Sequence, residues 1–396
     1  MTVARPFVRA VLRSPPNSSK GAALLVILFL VLATFSTIIV SQLSKAGLET
    51  LRQKKTLEAL AQAKQALISW SVVRGDVSAG RPGTLPCPDR YNLGTDSGSC
   101  SATGGTSIGR LPWKTLGIED LRDADGERLW YAVSDNFRVA NSAAINSDSP
   151  GTLELYASDG TTLLTQTGER LAAVVFSVGA PLPGQDRGSS PNAATNYLDA
   201  ANTRNNAIAS GPFIAGPVKN AQGDIMLNDL VLGISARELI SAVEKRVLKE
   251  AQNALAAFVI ANGKYPNPAK PNDPGCISPI NNIGDPPTCA VDNTVCFGRF
   301  PDIPEPSTWF RPNGWGRVMA YALNDISAGC TTALKIDVSS KSYVLIAPGI
   351  TLAGQTRPSS SLADYLEDPA NKDAWSADPN FSMPSSISND QLRSYP

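Results

Sequence analysis

The sequence predicts an α+β protein: a long N-terminal transmembrane helix leading into two tandem modules, each a helix packed on a small antiparallel sheet. Three observations predict it. Nineteen uncharged residues, Ala22 to Val40, follow Gly21. An apolar stripe of helical period continues past them through Leu60, Ala63, Leu67 and Trp70. The chain then repeats its own motifs, in order, at an offset of 188 to 190 residues.

The N-terminus comes first. As a helix, the uncharged run covers about 28 Å, close to the hydrocarbon thickness of a bilayer. Arg5, Arg9, Arg13 and Lys20 precede it, and no acidic residue occurs before Glu49. The positive-inside rule then places the N-terminus in the cytoplasm and everything after Val40 outside. Three N-terminal types fit. A secretory signal peptide has a shorter apolar run and a better cleavage site than Ser44-Lys45-Ala46. A plain signal anchor is the second type. The third is cut ahead of the apolar run, in the stretch Lys20-Gly21-Ala22-Ala23-Leu24-Leu25.

That last stretch resembles type IV prepilins and type II secretion pseudopilins. The resemblance implies cleavage after Gly21 by a prepilin peptidase, with Ala22 as the mature terminus. It also implies lateral packing against other pilin-like subunits, and a single-pass bacterial inner-membrane protein with periplasmic C-terminal domains. Most such proteins carry a glutamate at the fifth mature position, which here is Val26. Its absence is similar to the minor, K-type members placed at or near a filament tip.

Past the membrane Leu43, Leu48, Leu51 and Leu57 lead into the Leu60 stripe, and Gly75 supplies a stop. One helix from Ala22 to Arg74 would be roughly 80 Å long. The predicted organisation is a basic leader over 1–21, a transmembrane and spine helix over 22–75, and a first head module over 76–190. A linker over 191–235, a second module over 236–358 and a polar tail over 359–396 follow.

The duplication is read from ordered matches. Leu60, Ala63, Leu67 and Trp70 return as Leu248, Ala251, Leu255 and Phe258. Gly109-Arg110-Leu111-Pro112 returns as Gly298-Arg299-Phe300-Pro301, and the stretch from Asp125 to Val133 returns as Trp315 to Leu323. At a shorter offset, Leu182 to Arg187 matches Leu352 to Arg357, and Tyr197-Leu198-Asp199 is echoed by Tyr365-Leu366-Glu367. Ser235 and Glu238 form a capping box for a second helix ending near Asn262. Strands are expected over 128–134, 152–157 and 171–178, and over 317–323, 333–338 and 342–347, each sheet with one buried face. Asn262-Gly263-Lys264-Tyr265-Pro266 and Asn313-Gly314-Trp315-Gly316 are similar to segments of the major pseudopilin, which makes the expected modules pseudopilin-like. No calcium ligands of that family map onto this chain.

Six cysteines follow the apolar run. Cys87 and Cys100 recur as Cys276 and Cys289 with the same thirteen-residue step, so the duplication predicts those two bridges and leaves Cys296–Cys330 as a third. A zinc cluster is disfavoured by the lack of Cys-x-x-Cys and of histidine. Lys+Arg and Asp+Glu both number 35, which gives no basic excess for nucleic acid. No histidine means no histidine-based acid–base catalysis.

No catalytic glycine loop or nucleophile elbow is present, and no cofactor is expected. Asp89, Glu119 and Asp120 could be paired glycosidase carboxylates, but nothing in the sequence fixes their separation. Asp120, Asp123 and Asp125 beside Gly126 form an acidic loop that reads as a solvated turn in preference to a metal site, because the EF-hand spacing and its closing glutamate are missing. Trp113, Trp130, Trp309, Trp315 and Trp375 read as packing residues or a polymer-binding surface. The expected function is a minor pilin-like subunit acting in filament initiation or at the tip, and not an enzyme. The alternative is a membrane-anchored adhesin or binding protein that never enters a filament.

Overall fold

A computed structural model describes residues 47–74, 80–101, 103–105, 107–139, 141–165, 169–278, 286–304, 307–373, 379–383 and 388–395 of the 396. The described residues fall into two units, divided between Lys54 and Lys55. Within the first, residues 47–54 are helical, and Leu48 and Leu51 are exposed.

The second unit opens with helix α1, residues 55–73. Its stripe works as the spacing demands: Ala59, Leu60, Ala63 and Leu67 are buried, and Leu57 is exposed. The stripe packs on a four-stranded antiparallel sheet of β1 (Ile108–Arg110), β2 (Trp130–Val133), β3 (Leu171–Ser177) and β4 (Leu230–Ser235), in that spatial order. A second helix, α2 (Ala236–Asn262), follows directly; the Ser235 hydroxyl accepts the Glu238 N–H at 3.0 Å and Gly263 closes the helix at φ 72°.

The second sheet repeats the first. Strands β5 (Phe297–Arg299), β6 (Ala320–Leu323), β7 (Tyr343–Ala347) and β8 (Gln391–Tyr395) are also antiparallel and in sequence order. The register matches too: Gly109 faces Tyr131 as Gly298 faces Tyr321, and Ala132 faces Val174 as Ala322 faces Val344. Each tyrosine hydroxyl donates to a proline carbonyl, Tyr131 to Pro86 at 3.2 Å and Tyr321 to Pro266 at 3.0 Å. A loop residue crosses each first strand, Asp89 on Arg110 and Ala269 on Arg299. A side chain at Gly109 or Gly298 would collide with that loop's carbonyl oxygen, which is why both positions are glycine.

Helix α2 serves both halves. Its first turns bury Ala236, Leu239 and Ile240 with the α1 stripe, and the rest buries Val247, Leu248, Ala251 and Leu255 against the second sheet. Lys64 reaches Glu238 at 2.7 Å, and Arg246 donates to the Val72 carbonyl at 3.0 Å.

The expected fold class is corrected. The described strands form six sheets, the further ones having three, two, two and two strands, and apart from α2 the other helices with both ends described are three to five residues long. Both faces of the first sheet are covered. Tyr131, Val133, Ala173 and Val175 meet α1, while Trp130, Ala132, Val174 and Phe176 pack with Leu155, Tyr197 and Phe213. The long loops with their two-stranded pairs supply that second cover, so β3 is buried along its whole length. The fourth strand of each sheet comes from stretches read as linker and tail.

The single-pass inner-membrane localisation is corrected as well, because no helix among the described residues is long and apolar enough to cross a membrane. The apolar run 22–40 and the stop at Gly75 lie outside the described residues.

Candidate functional site

The outer face of α1 borders an open cleft of about 660 Å³. Ala66, Trp70 and Val73 line it from the helix, and Leu116, Ile118 and Leu121 line it from the segment after β1. The helix therefore has two working sides, one sunk in the core and one facing this cleft, where Ala66, Trp70 and Val73 alternate with Gln62, Gln65 and Ser69. Arg74 lies over the Trp70 ring at 5.0 Å and Val73 is 54% exposed, so the apolar residues of the cleft side gather at the end of the helix.

The processing residues Gly21 and Ala22 lie outside the described residues. The cysteines pair as Cys87–Cys100, Cys276–Cys289 and Cys296–Cys330, with Cα atoms 5.7, 4.3 and 5.5 Å apart. The first two staple the long loop of each half, and the third belongs to the second half alone.

Of the acidic candidates, Glu119 lines the cleft and Asp125 is exposed, whereas Asp89, Asp120 and Asp123 are tied into the fold. Asp89 accepts the Tyr91 and Gly94 amides at 3.0 and 2.6 Å. Asp120 is held by Arg128 at 2.9 Å and by Arg122 at 2.7 Å. Partial burial opposes its charge, but the hydrogen bonds from Arg128 and Arg122 outweigh that and keep its carboxyl below the usual range. Asp123 is buried, accepting the Asp125 and Glu127 amides at 2.9 and 3.0 Å and Ser177 and Gly179 at 3.0 Å each. A solvated turn is thus the wrong picture for that residue. No group of three or more acidic or cysteine side chains among the described residues is arranged to hold a metal ion. Trp130, Trp309 and Trp315 are buried in the cores, and Trp375 lies outside the described residues.

Sequence reasoning missed the polar clusters behind the sheets, which occur twice. In the first half Arg110 and Arg187 both lie over the Tyr197 ring, at 4.7 and 4.9 Å. In the second Arg299 and Arg357 both lie over Tyr365, at 5.3 and 4.4 Å. A carboxyl pair sits beside each, with Asp199, Asp229 and Asp390 buried and Glu367 half-buried. Asp199 takes the Gln185 amide group at 2.7 Å, and its own N–H donates to Asp229 at 2.9 Å. Glu367 takes Gln355 at 2.5 Å, and its N–H donates to Asp390 at 3.4 Å. Asn206 and Asn371 brace Asp229 and Asp390 at 2.9 and 3.1 Å.

Burial, with Asp199 adding its charge, pushes Asp229 up to about 8; burial also raises Asp199. Burial and the neighbouring Asp390 push Glu367 up to about 8, and burial raises Asp390. Each pair holds a proton near neutral pH, because two carboxylates in one enclosed site cannot both ionise cheaply. The echo of Tyr197-Leu198-Asp199 in Tyr365-Leu366-Glu367 was the sequence signal for these clusters. No family model, curated protein or solved structure matches the chain.

Proposed function

We propose that the chain is a minor pilin-like subunit that enters a type IV pilus or type II secretion filament, acting in initiation or at the tip. The observation that carries this reading is the two-sided helix α1. One side anchors the head, and the other keeps Trp70, Val73 and their cleft for a neighbouring subunit. Lys20-Gly21-Ala22 ahead of the apolar run supports it, with the prepilin peptidase and other pilin-like subunits as partners. Val26 in place of a glutamate, and a double head too bulky for a regular array, favour a minor position. Mass spectrometry of the mature N-terminus tests the proposal. Cleavage between Gly21 and Ala22, lost in cells lacking the peptidase, is expected; a mature chain that keeps its leader would falsify it.

The same cleft favours a second reading, an adhesin or binding protein outside any filament. Loss of the peptidase would then leave both its size and its function unchanged.

A further inference from the structure

The two arginine–tyrosine stacks are built alike but neutralised differently. In the first half Arg187 pairs with Glu127 of its own half at 3.1 Å and donates to the Gly179 carbonyl at 2.8 Å. Arg357 keeps the equivalent bond, to Gly349 at 3.0 Å. The residue matching Glu127, however, is Arg317. The second half therefore gathers three guanidinium groups, Arg299, Arg317 and Arg357, around Tyr365, with no carboxylate of its own in Glu127's place. Arg357 is 0% and Arg317 5% exposed at the side chain, so water does little to screen them. Arg317 Nε and Arg357 Nη1 have no hydrogen-bond partner among the described residues.

The missing carboxylate comes from the first half. Asp148 accepts Arg357 Nε at 3.0 Å and the Tyr365 hydroxyl at 3.1 Å, with Arg317 Nη1 at 3.9 Å. Its neighbours make the same kind of crossing. Asp123 of the first half is matched by Asn313, whose Oδ1 accepts the Ile145 N–H at 2.9 Å. The Gly179 N–H is held by Asp123, whereas the Gly349 N–H is held by Glu244, which also accepts Ser147 at 2.6 Å. Ile145, Asn146 and Ser147 are all buried.

We propose that Arg317, Arg357 and Tyr365 form a carboxylate-binding cradle, and that Asp148 is its resident ligand, locking the first half onto the second. The site recognises a carboxylate with one guanidinium and one phenol hydroxyl in contact and a second cation behind.

Chemical rescue of the full chain tests this. Asp148→Ala should lower the melting temperature by about 5–10 °C, since it leaves buried cations uncompensated. Sodium acetate should restore most of that loss, and sodium chloride at equal ionic strength should not. Asp148→Ala with Arg317→Glu should also recover, because it gives the second half the residue the first already has. If Asp148→Ala does not fold alone, the recovery of folded protein on refolding in acetate against chloride is the readout. Acetate acting no better than chloride overturns the proposal, whatever the double variant does. So does an Asp148→Ala protein as stable as the parent.

Discussion

The two halves share strand order, register, a stapled loop and a stacked arginine–tyrosine cluster, yet they differ in self-sufficiency. The first finds its counter-charge within itself, in Glu127. The second carries Arg317 there and takes Asp148 from the first. The large aromatic has moved as well: Trp130 lies on β2 where β6 has Ala320, and Trp315 precedes β6 where the first half has Asp125. Backbone pairing survives such exchanges because hydrogen bonds between strands do not depend on side-chain identity. Packing and charge do, so each exchange needs a compensating partner elsewhere.

That comparison can be broken at several points. The largest effect is expected from the aromatics. Trp130→Ala or Trp315→Ala should each cost about 3–5 kcal/mol of unfolding free energy, as both are almost fully enclosed. Exposed Asp125, the match to Trp315, should tolerate alanine within about 0.5 kcal/mol. Denaturant titration of the three variants would show it, and equal costs at positions 125 and 315 would mean the packing roles were not exchanged.

Next come the bridges. In the chain-entropy model the 34-residue separation of Cys296 and Cys330 is worth about 3.8 kcal/mol, against about 3 for each 13-residue one. Reduction should therefore loosen the second half first, read by hydrogen exchange in β6 and β7 against β2 and β3.

The carboxyl pairs sharpen the likeness instead. Asp229 and Glu367, near 8, and Glu244, which burial pushes up to about 7, hold protons that the unfolded chain releases near pH 4. Their contribution to stability is full below pH 4 and is lost as the pH rises toward 7 to 8. Each group contributes a slope of about 1 kcal/mol per pH unit. Asp229→Asn and Glu367→Gln should each remove one share of that slope, measured as melting temperature between pH 5 and 8. An unchanged profile in both would refute proton sharing.

The smallest effect belongs to the helix the halves share. Ser235→Ala removes the cap of α2 and should cost about 1 kcal/mol, lowering protection of both sheets together.

Much of this was legible in the sequence, for reasons tied to particular residues. Gly109 and Gly298 sit where a loop crosses a strand, Ser235 and Glu238 mark a helix start, and the cysteine steps repeat. All are local signals. Strand β8 was hidden: Gln391-Leu392-Arg393-Ser394-Tyr395 has no apolar alternation, being half-exposed or exposed throughout, and joins its sheet through the backbone.

Sequence by itself determined the helix α2 and the α1 stripe, which are written in short-range spacing, and the duplication and the cysteine pairs, which are written in the ordered return of short motifs along the chain. Only the tertiary structure decided which linker and tail segments complete the sheets, that both faces of the first sheet are covered, and that Asp148 answers Arg357 across 209 residues. Those contacts depend on where distant segments meet, and no periodicity along the chain records that.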